Sequence, residues 1–353
     1  MLFYFFSVII TMYYYRVGET SMEPKKQILL LTTGGTIASA PNGDGLAPRR
    51  SDIMAHDLQR LREYYEITVE DIMCLDSSNI RPEEWQQMAR VIFDRYPSYD
   101  GIVVSHGTDT MAYTASALTF MLPNIPIPVV FTGSQVPLTQ ALSDGPDNLR
   151  TAFAMAACGH GGVFVAFDRK VMRGCRAVKV RASGFSAFES INARYAGRVT
   201  GRGLELDARM LPDCTGAPAL RDALSKDVFL LKLTPGLSPD IFYALAQMGY
   251  KGIVLEAFGL GGVNVLGQGL SGIQKAVELG ISVVITTQCL YDSADLRVYQ
   301  VGNQLLELGV IQGRDMTSEA AMTKLMWALG QGMDQQQIAQ LFSQSLAGEI
   351  TLN

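Results

Sequence analysis

Cysteine and histidine are scarce in this chain of 353 residues, which holds five cysteines and three histidines. No two cysteines stand in a CxxC spacing, and their odd number argues against a disulfide framework or a zinc ribbon. Scattered thiols of this kind are typical of proteins in a reducing cytosol. The histidines His56, His106 and His160 are too far apart in sequence for ligand spacing, so no metal is expected.

Clustered positive charge is missing as well. The net charge is −5, and the sequence has no block rich in lysine or arginine. Because phosphate binding needs clustered cations, we expect no nucleic acid among the partners. Hydrophobic residues make up 48% of the chain and charged residues only 18%, which excludes global disorder. The length is sufficient for two domains.

Two common active-site motifs are absent, namely the phosphate loop GxxxxGK[ST] and the nucleophile elbow GxSxG. The glycine-rich stretch GLGGVN at residues 259–264 differs from the dinucleotide motif GxGxxG at its sixth position, which is Asn264. Phosphate-loop chemistry and elbow-type serine hydrolysis are therefore not expected.

The first fifteen residues, MLFYFFSVIITMYYY, are apolar and aromatic. As a helix they would span roughly 22 Å, which is short of the roughly 30 Å hydrocarbon core of a membrane. They also lack the basic start and the small-residue cleavage site of a signal peptide. Three interpretations remain: an appendage, a weak membrane anchor, or residues from an upstream start. We favour an upstream start with Met22 as the true beginning, because a regular pattern starts right after it; residues 1–21 are then an extension.

From Lys26 onward the sequence alternates between short apolar runs, loops and helical patterns. This alternation predicts an α/β fold with a mostly parallel sheet flanked by helices in residues 22–200. Residues 201–226 break the rhythm and are predicted to be a linker, and residues 227–353 form a smaller α/β domain. The predicted strands are 28–31, 67–75, 101–105, 128–131, 163–167, 228–233, 252–258 and 281–286.

Small hydroxyl side chains follow four of the predicted strands, in the stretches 32–38, 76–79, 106–110 and 132–135. One such loop alone is an ordinary turn in which the hydroxyl caps the next helix. Four of them change this interpretation, because the carboxyl ends of parallel strands meet at one edge, where ligands bind. Three of the four loops also contain glycine, which lets a ligand approach the backbone N–H groups.

Threonine is the nucleophile that these loops offer. A threonine hydroxyl is a poor nucleophile by itself and needs a base and an oxyanion hole. Lys179 is a candidate base if burial lowers its pKa, and Asp109 is a candidate partner for a lysine or substrate ammonium. Without further context Lys179 would be taken for an ordinary surface lysine.

The loops, in this order, resemble the bacterial-type L-asparaginase family, and most closely its cytoplasmic type I branch. TGGTIAS at 33–39 and HGTDTMAYTASAL at 106–118 are similar to the two threonine signatures of that family, which together are highly specific. The stretches DSS at 76–78, TGSQVPL at 132–138 and SDGPDNL at 143–149 fall where the family has substrate-binding or supporting loops. RAVKVRASGFSAF at 176–188 resembles the stretch with the catalytic lysine. The similarity runs from about Lys26 to the C-terminus.

The resemblance implies a two-domain asparaginase-like fold and the hydrolysis of L-asparagine to L-aspartate and ammonia. It implies that Thr36 is the nucleophile that forms the acyl-enzyme. Thr108, Asp109 and Lys179 would form a second catalytic group that activates a hydroxyl or water and protonates the leaving ammonia.

The resemblance also implies how the substrate is held. Backbone N–H groups around Gly35 and Gly107 would donate to substrate oxygens. Asp76, Ser77 and Ser78 match the stretch that binds the α-carboxylate, and Asp109 would bind the α-ammonium. Thr108 is also expected to bind the substrate. Hydroxyl and N–H donors at one end and a carboxylate at the other suit a zwitterion.

Further expectations follow from the family. It needs no cofactor, and its active site lies near a subunit interface, which implies a homodimer or homotetramer. Asn264 falls near a family position that approaches the site from the neighbouring subunit. One departure is that the loop after the first signature, here 40–51, usually contains a tyrosine where this sequence has Leu46. That loop is still expected to act as a lid.

Three alternatives remain at this point. A glutaminase-asparaginase would use the same site, since one methylene in a pocket changes binding by only about 1–3 kcal/mol. An ammonia-supplying subunit of a tRNA-dependent amidotransferase would carry an added N-terminal domain, whereas about 25 residues precede the first strand here. A catalytically inactive amino-acid sensor is disfavoured because all four catalytic positions are retained.

Overall fold

The computed structural model of the protein describes residues 12–15, 24–42, 45–48, 54–264 and 269–352, with the backbone alone at 12–15, 38–42 and 45–48. The strands are β1 (Met12–Tyr15), β2 (Gln27–Gly34), β3 (Ser39–Asn42), β4 (Gly45–Pro48), β5 (Glu66–Leu75), β6 (Gly101–Ser105), β7 (Pro128–Thr132), β8 (Gly162–Phe167), β9 (Lys170–Arg173), β10 (Ala177–Lys179), β11 (Phe188–Ser190), β12 (Gly197–Thr200), β13 (Gly203–Asp207), β14 (Val228–Lys232), β15 (Gly252–Ala257), β16 (Ser282–Thr287) and β17 (Ile311–Gln312). The helices are α1 (Ala55–Leu61), α2 (Pro82–Arg95), α3 (Met111–Met121), α4 (Gly145–Ala156), α5 (Asp240–Gln247), α6 (Gly269–Glu278), α7 (Gln300–Glu307), α8 (Ser318–Gly330) and α9 (Gln335–Phe342).

The large sheet has the strand order β1-β13-β12-β9-β8-β7-β6-β2-β5 in the part of the chain that the structure describes. From β8 to β5 all neighbours run parallel, as the βαβ alternation predicts. From β8 to β1 all neighbours run antiparallel, so the sheet is mixed rather than mostly parallel. The antiparallel strands have only four to five residues, too few for a clear period in the sequence.

Two strands of this antiparallel half lie in segments that the sequence assigned elsewhere. β13 falls within the predicted linker 201–226, yet it pairs with β12 from Gly203 to Leu206. Its burial alternates along the strand, as expected for a strand with one buried face. β1, within the extension 1–21, pairs with the other side of β13. The remainder of that extension lies outside the described residues.

The parallel strands are buried on both faces. All four residues from Ile28 to Leu31 in β2 have no exposed surface. Helices α2 and α3 cover one face, where Met88 and Leu118 join the core, and α1 and α4 cover the other, with Leu58 and Phe153. This double cover leaves the loops at the strand ends as the places where a ligand can reach the sheet.

The small sheet is parallel throughout, with the order β14-β15-β16-β17. Helices α5 and α6 pack on one face, and α8 packs on the other. α8 also contacts α3 of the large unit, where the rings of Phe120 and Trp327 lie 6.3 Å apart. One hydrophobic core therefore extends from the large sheet into the small one.

The segment after β2 differs from the predicted open loop at residues 40–51. Its described part is a short antiparallel hairpin, β3–β4, in which Leu46 pairs with Pro41. Residues 43–44 and 49–51 of the predicted lid lie outside the described part of the chain. No helix among the described residues is both long and apolar enough to cross a membrane.

Candidate active site

The site lies where the order of the parallel strands reverses. The chain runs from β2 to β5 on one side and then returns to β6 on the other side of β2. At such a switch point the chain leaves the two neighbouring strands in opposite directions, which leaves a crevice at the carboxyl edge of the sheet. The two loops here are the ones that carry the threonine signatures, after β2 and after β6.

Glycine allows these two loops to touch. Gly35 has a φ of +80°, and a Cβ placed on it would lie 2.4 Å from the amide nitrogen of Gly107. A side chain on Gly107 would in turn meet Ser77 Oγ at 2.5 Å. The loops after β2, β6 and β5 therefore converge through their backbones, which requires glycine at two of the three positions.

Thr36 follows Gly35 and begins a short 3-10 turn. Its side chain is half-buried, while the next residue, Ile37, is fully buried and anchors the turn. Before the glycines, Thr33 Oγ1 donates to the carbonyl of Ser105 at 2.9 Å, which ties the end of β2 to the end of β6. The loop thus presents Thr36 beside the second signature.

The loop after β5 is held by its own side chains. The carboxylate of Asp76 accepts hydrogen bonds from Ser78 N at 2.8 Å and from Ser78 Oγ at 2.7 Å. These two bonds hold the pKa of Asp76 below its ordinary value, the hydroxyl of Ser78 having the larger effect. Ser77 is buried, and its carbonyl accepts a bond from Thr110 Oγ1 at 2.8 Å.

Lys179 meets the second signature from the end of β10. Its Nζ donates to Thr108 Oγ1 at 2.8 Å and to Asp109 Oδ1 at 2.6 Å, across 71 and 70 residues of sequence. The side chain of Lys179 is 16% exposed and that of Asp109 is 64% exposed. A lysine Nζ bonded at once to a hydroxyl and a carboxylate is an arrangement suited to proton transfer.

Gln135 is a polar residue of the site that was not predicted individually from the sequence. Its Nε2 donates to the carbonyls of Ala182 at 3.1 Å and Gly184 at 3.2 Å. The amide oxygen is thereby left to accept from Thr108 Oγ1, at 3.2 Å. Gln135 lies in the fourth of the hydroxyl-rich loops, and that position was the available signal.

The structure brings most of the predicted positions together. Direct contacts join the loops of Gly35, Ser77, Thr108 and Lys179 at one edge of the large sheet. Asn264 lies on an exposed loop of the small unit, after β15. Among the described residues, no three or more His, Cys, Asp and Glu side chains form a group that could hold a metal ion.

Two family models match the chain. "Asparaginase, N-terminal" covers residues 27–211, and "Glutaminase/Asparaginase C-terminal domain" covers residues 227–342. Together they extend over both sheets.

Individual proteins are similar over nearly the whole chain. An L-asparaginase of Thermococcus kodakarensis is 45% identical over 92% of this chain and 99% of its own length. L-asparaginase 1 of Escherichia coli K12 is 36% identical over 93% of this chain and 98% of its own length. A glutamyl-tRNA(Gln) amidotransferase subunit of Methanopyrus kandleri is 34% identical over 94% of this chain and 77% of its own length.

The fold is similar as well. A solved structure of the thermostable L-asparaginase from Thermococcus kodakarensis matches with a TM-score of 0.87 at 44% identity. The match covers 93% of this chain and 100% of that one.

Proposed function

Because the chain belongs to the asparaginase family, we propose that it is an L-asparaginase, which hydrolyses the side-chain amide of L-asparagine to L-aspartate and ammonia. The observation that carries the proposal is the position of Lys179, whose Nζ lies 2.8 Å from Thr108 Oγ1 and 2.6 Å from Asp109 Oδ1. It supports the assignment of Lys179 to proton transfer next to the loop of Thr36, since a threonine nucleophile needs such a group.

In the first half of the reaction Thr36 Oγ1 attacks the carbonyl carbon of the side-chain amide. Its proton passes to the group formed by Thr108 and Lys179, and the carboxylate of Asp109 stabilises the lysine ammonium. N–H groups around Gly35 and Gly107 donate to the oxyanion of the tetrahedral intermediate. The C–N bond then breaks, ammonia leaves with a proton from the same group, and an aspartyl ester of Thr36 remains.

In the second half a water molecule attacks that ester. Thr108 and Lys179 accept a proton from the water, and the proton is returned to Thr36 Oγ1 as the C–O bond breaks. Aspartate is released, and the water oxygen becomes part of its new carboxylate. No cofactor or metal takes part in these reaction steps.

Substrate recognition is divided between two ends of the site. Ser78 donates its hydroxyl to Asp76, so we assign these two residues to the shape of the turn. Ser77, whose Oγ faces Gly107, is then the donor to the α-carboxylate. At the other end the carboxylate of Asp109 is exposed, so it can bind the α-ammonium of the substrate while it also pairs with Lys179.

The proposal extends to the setting of the enzyme. It acts in the cytoplasm as a homodimer or homotetramer, with Asn264 near the site of a neighbouring subunit. It has neither nucleic acid nor membrane as a partner. The hairpin β3–β4 with Leu46 covers the site during the reaction.

Ammonia release from L-asparagine and L-glutamine, measured in parallel on the purified protein, tests the function. Fast release from asparagine with little from glutamine supports an L-asparaginase. Comparable rates would indicate a glutaminase-asparaginase with the same site. Folded protein that releases no ammonia from either would overturn the proposal.

The similarity to a subunit of a tRNA-dependent amidotransferase motivates a second candidate, an ammonia-supplying subunit. The two functions differ in what they need. A subunit of this kind would release ammonia only in the presence of its partner, whereas an L-asparaginase is active by itself. Full turnover by the isolated chain would exclude the second candidate.

A further inference from the structure

His106 is the last side chain in a series of three hydrogen bonds that runs from the core to the backbone of the second signature. Trp85 Nε1 donates to Thr114 Oγ1 at 3.0 Å, and Thr114 Oγ1 lies 3.0 Å from His106 Nε2. His106 Nδ1 in turn lies 2.7 Å from the carbonyl oxygen of Gly107. Helix α2 supplies the first residue and helix α3 the second, and neither His106 nor Thr114 has exposed surface.

The chemistry of the two end groups determines which atom donates in each of the three hydrogen bonds. An indole N–H can only donate and a carbonyl can only accept, so both ends have one possible role. Burial lowers the pKa of His106 to about 4, so its ring is neutral at neutral pH and carries one N–H. That hydrogen belongs on Nδ1, because otherwise a nitrogen lone pair would face the Gly107 oxygen at 2.7 Å. Nε2 is then an acceptor and receives the hydroxyl hydrogen of Thr114.

The anchored carbonyl belongs to the peptide between Gly107 and Thr108. In a trans peptide the C=O and the following N–H point in opposite directions. A Gly107 carbonyl that points at His106 in the core therefore turns the N–H of Thr108 away from the core. The side chains of Thr108 and Asp109, which follow this carbonyl in the sequence, contact Lys179.

We propose that His106 is a positioning residue, held as the Nδ1–H tautomer by Thr114 and Trp85, which fixes the peptide between Gly107 and Thr108 so that its N–H faces the reacting carbonyl. The catalytic consequence rests on the proposed function, whereas the tautomer does not. His106 itself touches no substrate. It acts by setting the direction of one backbone donor.

Nitrogen NMR of the ring reports the tautomer directly. The chain has three histidines, so His56→Asn and His160→Asn assign the remaining ring signal to His106. We expect a protonated Nδ1 and an unprotonated Nε2 at pH 7, and a changed pattern in Thr114→Val, with Thr114→Ser as the variant that keeps the hydroxyl. A protonated Nε2 or a charged ring in the native protein would overturn the proposal.

Two substitutions of His106 separate positioning from packing. In His106→Asn the amide nitrogen stands near the place of Nδ1 and can still donate to Gly107, whereas in His106→Gln it stands near the place of Nε2. We expect kcat within tenfold of native for His106→Asn and a loss of about 100-fold for His106→Gln, with KM little changed, as for the loss of one oxyanion-hole donor. Equal activity of the two variants would contradict the positioning role.

Controls distinguish a loss of folding from a loss of positioning by His106. Circular dichroism establishes whether each variant folds, and if His106→Gln does not, the comparison of Thr114→Val with Thr114→Ser replaces it. There we expect a drop in kcat for the valine variant and near-native kcat for the serine variant. Native protein that shows the Nδ1–H signal but releases no ammonia would overturn the proposed function and still support the tautomer.

Discussion

Gly35 and Gly107 touch through their backbones, so closely that a Cβ on Gly35 would lie 2.4 Å from the nitrogen of Gly107. Each glycine stands directly before a threonine that the reaction uses, Thr36 or Thr108. The contact therefore brings the two threonine loops together at the switch point of the sheet. A larger residue at either position must push the loops apart.

Gly35→Ala tests this contact. The substitution adds a methyl group against Gly107 and also strains a backbone with a φ of +80°, so we expect a loss of about 1–3 kcal/mol in the free energy of unfolding and a loss of most turnover. Urea unfolding and ammonia release measure the two effects. Gly201→Ala is the matched control, because a Cβ there meets nothing within 4 Å. Native stability in Gly35→Ala would show that the loops can separate freely.

Thr36→Ala tests the nucleophile. We expect turnover to fall by about 1,000-fold or more, because no ester can form without the hydroxyl. The melting temperature should stay close to native, since the side chain is only half-buried and packs little. Thr36→Ser should retain part of the activity, and Thr200→Ala at the exposed end of β12 should retain all of it. Near-native hydrolysis by Thr36→Ala would exclude Thr36 as the nucleophile.

Lys179→Met tests the proton-transfer group. Methionine keeps the volume of the stem but removes the bonds to Thr108 and Asp109, so we expect kcat to fall by about 100-fold or more. Lys170→Met, which breaks a 2.8 Å ion pair with Asp168 elsewhere, is the control and should leave kcat within twofold. Steady-state kinetics on both variants make the comparison. A mild loss in Lys179→Met would place the base at another residue.

The stability of the protein should depend on His106 in mild acid. Burial lowers its pKa from 6.5 to about 4, so between these values the unfolded chain binds a proton that the folded protein does not. The free energy of unfolding must therefore fall as the pH drops from 6.5 to 4, by about 3 kcal/mol over the full range. Urea unfolding at several pH values measures the slope.

His106→Asn should reduce that slope, because asparagine does not titrate, and Gly201→Ala should leave it unchanged, because its added methyl group meets nothing within 4 Å. Carboxylates titrate in the same range and contribute equally to all three proteins. The difference between variants thus isolates the histidine. Identical slopes in the native protein and His106→Asn would contradict a depressed pKa at this position.

Much of the fold could be predicted from the sequence. Long apolar runs such as 101–105 predicted the parallel strands, since strands buried on both faces need continuous hydrophobic residues. The antiparallel strands could not be predicted in the same way. β13 has five residues and was assigned to a linker, because neighbours far away in the sequence decide whether so short a segment pairs.

By itself, the sequence determined the alternation of strands and helices and the four hydroxyl-rich loops that follow the strands. These features depend on local periodicity and on loop composition, which are read directly from neighbouring residues. The tertiary structure decided which loops touch, that Lys179 reaches Thr108 across 71 residues, and that Gln135 and His106 orient the second signature. Such contacts depend on strand order and on the packing of side chains from distant segments, which no local pattern specifies.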